Sequence, residues 1–338
     1  MRERIFLRKL QAQFLRTGLF VNILITGSVA FDYLMTFPGL FEEQILPERL
    51  KSISLSFLVD SMSKQRGGIA PNIAYTIALL GQRPRVMATV GEDFEEYRRW
   101  LETTGVDTGL MKVVPGLFTA SFFATTDRSS AQIASFYPGA MGEAASQSLK
   151  DLKDKPDLVI VSPNSPQAMM KFPAECRELS IKYLYDPSQQ VLRLEGRELA
   201  RDMEGAFFLF CNDYEFGLIS KKTGWDLKQM LDHVQIVVIT RGKDGADLCT
   251  NQEQVHIPTV PEEKIVDPTG VGDAFRGGFL TGYALGLDWK LCGEIGSLAA
   301  VYCLEQRGPQ GHAYTRPEFV DRFRRHFQDG SRLDILLK

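Results

Sequence analysis

The chain has few of the residues that build metal sites and disulfides. Its 338 residues include only five cysteines and four histidines, with no CxxC pair and no cluster of the two types. An odd, scattered set of cysteines indicates free thiols in a reducing compartment, so we expect a cytoplasmic protein. None of the spacings typical of a zinc site occurs.

Strong charge imbalance and long apolar runs are lacking as well. The formal net charge is -3, which gives no reason to expect nucleic acid or an anionic membrane surface as a partner. No apolar stretch approaches the ~20 residues that cross a bilayer. With 44% hydrophobic and 24% charged residues, the composition is typical of one large globular domain, with or without a small one.

The first twenty residues differ in composition from the rest of the chain. They are rich in arginine and place apolar residues at roughly helical spacing. A transit peptide has this pattern, and so does a helical extension or a chain begun at an early start codon. We treat residues 1–20 as an N-terminal extension.

Short apolar runs alternate with polar, helix-compatible segments from about residue 155 onward. Apolar strands that alternate with helices predict a parallel sheet covered on both faces. We therefore expect an α/β fold with a doubly wound, mostly parallel sheet flanked by helices. The predicted strands, two of them before residue 155, are 21–26, 85–90, 158–162, 183–186, 206–212 and 236–240.

Ligands of such sheets bind beyond the carboxyl ends of the strands. The polar residues that close the predicted strands are therefore where chemistry is expected: Asp186, Asn212, Thr240 and Arg241. Two other segments, 52–60 and 118–125, alternate apolar and polar residues as half-exposed strands do.

The most informative segment is residues 267–279, DPTGVGDAFRGGF. Gly270 and Gly272 let the backbone adopt positive φ and approach a ligand closely. A helix is predicted after them, and its positive end together with backbone N–H groups would favour a bound anion. No Lys-Ser/Thr pair follows the glycines, so this is not a Walker A loop. Phe275 stands where the third glycine of a dinucleotide-binding motif would be.

Asp273 places a carboxylate at this anion site. A carboxylate would repel a phosphate, but the placement makes sense if it accepts a proton from a hydroxyl while backbone amides hold the transferring phosphoryl group. The alternative is a helix cap with no part in chemistry. A cap does not explain the glycines that follow, each costing a helix roughly 1 kcal/mol, whereas close packing does: Gly277, Gly278, Gly282 and Gly286.

The segment DPTGVGDAFRGGF resembles the C-terminal signature of the ribokinase-like (PfkB) carbohydrate and nucleoside kinases. The resemblance is nearest to prokaryotic adenosine kinase-like members, to which Arg276 is better suited than to sugar kinases. It implies an ATP-dependent kinase with Asp273 as the catalytic base. The backbone amides of four residues would form the anion hole: Gly270, Val271, Gly272 and Asp273.

The resemblance covers about residues 21–328. It implies one kinase domain, residues 21–330, with a small β-sheet lid built from about 33–66 and 112–140. Such a chain can be a monomer or a homodimer formed through the lid.

A second segment, Gly67-Gly-Ile-Ala-Pro-Asn72, resembles the N-terminal signature of the same family. Gly67 and Gly68 allow backbone to lie against a substrate, and Asn72 offers a donor and an acceptor to hydroxyls. The alternative is a glycine turn with Asn72 near a helix start.

Ser28 and Asp32 follow the first predicted strand. A carboxylate just beyond a strand end can accept hydrogen bonds from two neighbouring hydroxyls of a ribose or hexose, and the family has an Asp at the matching place. The alternative is an aspartate in a surface loop. We predict these substrate-binding residues: Ser28, Asp32, Gly67, Gly68 and Asn72.

Asn212 and Glu215 match the family's N-x-x-E motif. The resemblance implies that Asn212 contacts the nucleotide and that Glu215 orders Mg²⁺ through water near the phosphates. A hard cation prefers oxygen ligands and retains waters. Asn followed by Glu three residues later is also a common helix start, so that alternative stays open.

Thr240, Gly242 and Gly245 match a family loop, T-x-G-x-x-G, that contacts nucleotide phosphates. Asp267 resembles a position that helps to hold a monovalent cation in several members. The resemblance implies ATP and Mg²⁺ as cofactors, and it implies K⁺ as the monovalent cation at Asp267.

The second lid segment indicates which molecule accepts the phosphoryl group. It carries five aromatic residues, which suit a purine because base stacking is worth roughly 1–3 kcal/mol: Phe118, Phe122, Phe123, Phe136 and Tyr137. We predict adenosine or a related purine nucleoside, with Phe118 and Phe136 against the base. The rings could instead form the lid's own core. A sugar kinase of the ribokinase or fructokinase type is the alternative function, and a non-catalytic ligand-binding regulator is a further one.

Overall fold

The structure is a computed structural model in which residues 21–46, 51 and 54–338 are described. The predicted extension at residues 1–20 lies outside these residues. Within them the strands are β1 (Ile23–Thr26), β2 (Ala30–Thr36), β3 (Ser61–Gly67), β4 (Arg85–Val90), β5 (Asp107–Val113), β6 (Ala120–Thr126), β7 (Gln132–Tyr137), β8 (Leu158–Val161), β9 (Lys182–Tyr185), β10 (Phe208–Asn212), β11 (Ile236–Thr240), β12 (Ala246–Cys249) and β13 (Gln254–Ile257).

The α-helices of the same part of the chain connect and flank these strands. They are α1 (Phe41–Gln44), α2 (Ile69–Leu79), α3 (Glu95–Thr103), α4 (Pro166–Glu178), α5 (Gly196–Met203), α6 (Asp213–Thr223), α7 (Leu227–His233), α8 (Val271–Ala284), α9 (Trp289–Leu304) and α10 (Arg316–His326).

Nine strands form one sheet in the order β13-β12-β11-β10-β9-β8-β1-β4-β5. The strands from β11 to β5 in this order are parallel, and β12 and β13 add an antiparallel edge. The chain proceeds from β1 to β4 and β5 on one side and from β8 to β11 on the other. This reversal is a topological switch point, and ligands bind beyond the carboxyl ends of the strands at such a point.

Helices cover both faces of this sheet, as the apolar strands require. Ile25 of β1 belongs to a buried cluster with Phe279 of α8 on one face. Its neighbour Leu24 belongs to a second cluster with Phe172 of α4 on the other face. The predicted α/β fold and the apolar strands that formed its basis are confirmed.

A small second sheet has the order β3-β2-β6-β7. β2 is antiparallel to β3 and parallel to β6, and β6 is antiparallel to β7. Its strands come from the two segments predicted as the lid, 33–66 and 112–140. Three boundaries differ: β2 begins earlier, at Ala30, β3 ends later, at Gly67, and residues 112–113 belong to β5 of the large sheet.

The strand predicted at residues 52–60 is wrong where the structure describes it. Residues 54–60 are irregular, and pairing with β2 begins only at Ser61. The reason is that Phe57 packs between Phe37 and Phe41, with its ring centroid 5.1 Å from each. Phe57, whose position in an alternating pattern predicted a strand, therefore packs as part of a loop.

The glycines of α8 are explained by close packing. A Cβ at Gly277 would lie 2.6 Å from the Cβ of Thr76 in α2, and a Cβ at Gly278 would lie 2.7 Å from the carbonyl oxygen of Ile295 in α9. These distances are too short for any larger side chain without displacement of the backbone. α8 is therefore held between α2 and α9, which fixes the position of its N-terminus.

All five cysteines are free and buried. Among the helices described, none has the length and apolar composition needed to cross a bilayer.

Candidate active site

The polar residues that close the predicted strands meet at one edge of the large sheet. Ser28 follows β1, Asp186 follows β9, and Asn212 and Thr240 end β10 and β11 as register partners. Because these strands are parallel, their carboxyl ends share one edge. α8 reaches the same edge, since its Arg276 forms an ion pair with Asp186.

Gly270 turns the predicted anion loop into α8. Its φ of +80° is left-handed, and a Cβ at this position would collide with Pro309, so glycine is required. Val271, Gly272 and Asp273 form the first turn of α8, where N–H groups lack intrahelical partners and can face an anion. Gly272 lies within the helix and does not have the positive φ that we expected.

Asp273 is held by residues that are distant in sequence. Asn72 of α2 donates from Nδ2 to Oδ2 of Asp273 at 2.9 Å. Oδ1 of Asn72 accepts from Nε2 of Gln310 at 2.9 Å, and Oε1 of Gln310 accepts from the indole N–H of Trp100 at 3.1 Å. This chain of hydrogen bonds orients the Asn72 amide so that it presents a donor to Asp273. Gln310 belongs to no recognisable motif, and the sequence analysis missed it.

The carboxyl group of Asp273 titrates near neutrality. Burial raises its pKa to about 7, against the opposing effects of the Arg276 charge and of the hydrogen bond from Asn72. A base with a pKa near the working pH both accepts and releases a proton readily. The environment of Asp273 therefore suits proton transfer.

Asp32 is the third residue of β2. It is therefore not an aspartate in a surface loop, which was the alternative. Its carboxylate covers Gly67, where a Cβ would collide with it. Gly68 has φ of +94°, and a Cβ there would lie 2.5 Å from the carbonyl oxygen of Ser28. Burial raises the pKa of Asp32 to about 6, and the charge of Asp267 adds to this rise. The two glycines thus bring β2, α2 and the turn after β1 together.

Ser28 stabilises the start of α2 through hydrogen bonds. Its Oγ accepts a hydrogen bond from the N–H of Ile69 at 3.2 Å, and its carbonyl accepts from the N–H of Ala70 at 3.3 Å. The hydroxyl retains its own proton for donation. Contact between Ser28 and the substrate stays a prediction.

Asn212 and Glu215 form a capping box at the start of α6. Oδ1 of Asn212 accepts from the N–H of Glu215 at 2.7 Å, and Oε2 of Glu215 accepts from the N–H of Asn212 at 2.8 Å. The helix-start alternative is therefore realised. Burial raises the pKa of Glu215, and the charge of Asp186 adds to this rise. One carboxylate can cap the helix with one oxygen and face the sheet edge with the other.

The loop after β11 lies at the rim of this edge. Gly242 is exposed, with φ of +56°, and Gly245 has φ of +83°. A Cβ at Gly245 would collide with the carbonyl oxygen of Ile257. Thr240 is partly exposed beside them. Nucleotide contacts by this loop stay a prediction.

Asp267 stabilises the predicted anion loop before α8 through hydrogen bonds to backbone N–H groups. Oδ1 accepts from the N–H of Thr269 at 2.9 Å, and Oδ2 accepts from the N–H of Gly308 at 2.9 Å. Burial acts against ionisation, but these hydrogen bonds and the charge of Arg307 outweigh it and lower the pKa of Asp267. A monovalent cation at Asp267 stays a prediction.

The register of the small sheet decides which aromatic residues share a face with Asp32. Asp32 pairs with Phe122, and Phe122 pairs with Phe136. Residues directly opposite each other on neighbouring strands point to the same face. Phe123 pairs with Tyr33 on the other face and stacks on it, with ring centroids 4.8 Å apart. The shared face therefore presents Phe122 and Phe136 but not Phe123.

The face that carries Asp32 is turned toward the anion loop. Gln65, which pairs with Asp32, reaches Gly308, where a Cβ would lie 2.8 Å from its Oε1. On this face Phe136 is 46% exposed. Phe118 precedes β6 and is 65% exposed, and its contact with a base stays a prediction.

Comparison with known proteins identifies the family of the chain. The family model described as pfkB family carbohydrate kinase matches residues 26–316. The chain belongs to this family. It is 28% identical over 311 residues to a nucleoside kinase of Methanocaldococcus jannaschii, covering 91% of this chain and 99% of that one.

Solved structures of nucleoside kinases are similar to this chain as well. The nucleoside kinase of Burkholderia thailandensis in complex with inosine is 38% identical, with a TM-score of 0.80, covering 90% of this chain and 98% of that one. The same enzyme in complex with ADP-inosine is 39% identical, with a TM-score of 0.78 and coverage of 90% and 96%. The chain is therefore an ATP-dependent phosphotransferase that acts on a hydroxyl group.

Proposed function

We propose that this pfkB family kinase transfers the γ-phosphoryl group of ATP to a ribose hydroxyl of a purine nucleoside. The observation that carries the proposal is the row formed by Asp32, Phe122 and Phe136 across three strands of the small sheet. Neighbouring strands are roughly 4.8 Å apart. The distance from the Asp32 carboxylate, which can accept hydrogen bonds from ribose hydroxyls, to the aromatic rings is therefore comparable with the length of a nucleoside. A free sugar would leave those rings without a partner.

The similarity to nucleoside kinases supports this acceptor class. Inosine, bound to the Burkholderia thailandensis enzyme, is a purine nucleoside whose base lacks the amino group of adenosine. The support therefore extends to purine nucleosides in general and does not favour adenosine among them.

Asp273 would act as the general base of the transfer. It would accept the proton of the acceptor hydroxyl as the new bond forms between that oxygen and the γ-phosphorus and the bond to the ADP oxygen breaks. The N–H groups of Val271, Gly272 and Asp273 would hold the transferring group. Asn72 would keep the Asp273 carboxylate aimed at the hydroxyl.

The residues at the sheet edge fit a magnesium ion held mainly by phosphates and water. Among the described residues, no group of three or more His, Cys, Asp or Glu side chains could hold a metal directly. Asp186 is already paired with Arg276, and Glu215 offers one further carboxylate at this sheet edge, which suits an ion that keeps most of its waters. Bound Mg²⁺ supplies charge neutralisation of the phosphates, and Glu215 would orient its waters.

Glu215→Gln is expected to raise the Mg²⁺ concentration for half-maximal rate roughly 10-fold, as loss of an outer-shell carboxylate commonly does. Gln at the third helical position preserves the capping box, so α6 should remain folded. The measurement is a Mg²⁺ titration of the initial rate at saturating ATP.

Glu318→Gln is the matched control, because Glu318 forms the same capping box with Thr315 at the start of α10. Its Mg²⁺ titration should coincide with that of the wild type. An unchanged titration for Glu215→Gln would mean that Glu215 only starts a helix.

The acceptor is tested by coupled ADP release with inosine, adenosine, ribose and fructose. We expect kcat/KM for the two nucleosides to exceed that for either sugar, because only a nucleoside uses both Asp32 and the rings. A higher value for ribose or fructose than for any nucleoside would replace this proposal with the sugar-kinase alternative.

We also infer a cytoplasmic location. The support is that all five thiols are free and buried, as is usual in a reducing compartment.

A further inference from the structure

Arg276 is a buried cation that the steps above leave without a role. The side chain of Arg276 is 8% exposed and that of Asp186 is fully buried. Nη2 of Arg276 donates to Oδ1 of Asp186 at 2.8 Å, and Nε lies 2.7 Å from Oδ2. The hydroxyl of Ser188 donates to Oδ1 of Asp186 at 2.7 Å. One edge of the guanidinium is thus fixed to the end of β9.

The remaining nitrogen, Nη1, is aimed at the first turn of α8. A Cβ at Gly272 would lie 2.9 Å from Nη1, which places Nη1 beside the backbone amides proposed to hold the phosphoryl group. Helical side chains lean toward the N-terminus, so Arg276 reaches the residue four positions before it. No described residue accepts a hydrogen bond from Nη1.

Stability alone does not explain this arrangement. A buried ion pair is often no better for stability than an apolar pair of the same volume. The charges of Asp186, Asp273 and Glu215 all act on Arg276. The guanidinium therefore lies where three carboxylates and an anion site converge, and only its Asp186 edge is occupied by an ion pair.

We propose that Arg276 is a catalytic residue which, anchored by Asp186, presents Nη1 to the transferring phosphoryl group at Gly272. It forms and breaks no covalent bond. The acceptor oxygen bonds to the γ-phosphorus, the bond to ADP breaks, the hydroxyl proton moves to Asp273, and Arg276 offsets the charge on the phosphoryl oxygens. The inference rests on the proposed phosphate role of residues 267–273 and not on which acceptor is used.

Arg276→Lys is the first test. A lysine retains the charge and can pair with Asp186, but its single ammonium cannot also reach Gly272. We expect kcat to fall at least 10-fold, with KM for the acceptor and the melting temperature close to wild type. A kcat within twofold of wild type would overturn the proposal. Arg322→Lys alters a comparably buried pair, Arg322 with Glu305, and should leave kcat unchanged.

The double variant Asp186→Asn with Arg276→Gln separates catalysis from folding, because it removes both charges of the pair together. If Arg276 only neutralises Asp186, the double variant should regain wild-type kcat. We expect it to fold and to remain roughly 10²–10³-fold slower, as after loss of one charge-stabilising group.

Calorimetry tests the same contact without turnover, using ADP and the non-hydrolysable analogue AMP-PNP with Arg276→Lys. Affinity for ADP, which lacks the γ-phosphoryl group, should be unchanged, whereas affinity for AMP-PNP should fall at least threefold. Equal changes for both ligands would mean a structural role. If the wild type phosphorylates a sugar instead of a nucleoside, the proposed acceptor fails, but these ligand comparisons still decide the role of Arg276.

Discussion

Asp273→Asn is expected to lower kcat by roughly 10²–10⁴-fold, the usual contribution of a general base. The amide has nearly the same shape and can still accept the hydrogen bond from Asn72, but it cannot take a proton from the acceptor. Nucleotide affinity should stay near wild type because the backbone amides of the first turn of α8 are retained. Steady-state ADP release and calorimetry with ADP measure the two quantities.

Asp226→Asn is the control for this change, since Asp226 caps α7 and Asn is an equally good N-cap residue. Its kcat should match that of the wild type. If Asp273→Asn keeps more than about a third of wild-type kcat, Asp273 is not the base and the carboxylate at the anion loop needs another explanation.

The pH profile gives a second readout of the same prediction. Because burial raises the pKa of Asp273 to about 7, the carboxylate is protonated and inactive as a base below that pH. Wild-type kcat/KM should therefore fall as pH drops through 7. Asp32, with its pKa raised to about 6, adds a further loss at lower pH. The step near pH 7 should be missing in Asp273→Asn.

Phe136→Ala is expected to cost about 1–3 kcal/mol of transition-state stabilisation with nucleosides, which corresponds to roughly 5–150-fold in kcat/KM. The reason is that its ring shares a face with Asp32 and offers a stacking surface to the base. Ribose has no base, so its kcat/KM should change much less. The measurement is kcat/KM for inosine, adenosine and ribose with each variant.

Phe123→Ala is the matched control. It lies in the same sheet with a similar exposure, 39% against 46% for Phe136, but it points to the other face and stacks on Tyr33. Its effect should be equal for nucleosides and ribose. Equal losses on all substrates for Phe136→Ala would instead mean that the ring supports the small sheet and does not contact a base.

The secondary structure of segments that depend mainly on residues nearby in the chain could be predicted from the amino-acid sequence. The strands 85–90 and 236–240 coincide with β4 and β11 because continuous apolar runs can be buried only inside a covered sheet. The turn that leads into α8 was predictable because Gly270, Asp273 and the helix start lie within a few residues of each other. Anion binding by this turn stays a prediction. The family resemblance uses this local pattern too, and the match over residues 26–316 agrees with it.

Contacts between distant segments were decided only by the tertiary structure. Asn72 donates a hydrogen bond to Asp273, which is 201 residues away in sequence. Gln310, which orients the side-chain amide of Asn72, is 238 residues away from it. Neither spacing leaves a periodic signal, because the contact depends on how α2 and α8 pack. Aromatic composition suggested a base platform, but it could not distinguish Phe122 from Phe123.

The sequence by itself thus determined the sheet, the glycine turn before α8 and the carboxylate in the first turn of that helix, because local backbone preference and apolar burial are encoded within short segments. The tertiary structure decided which ring faces Asp32, because strand register changes the face of every side chain when it shifts by one residue. It also decided that Asp186 holds one edge of the Arg276 guanidinium, because only the packing of α8 against the end of β9 brings that carboxylate beside it.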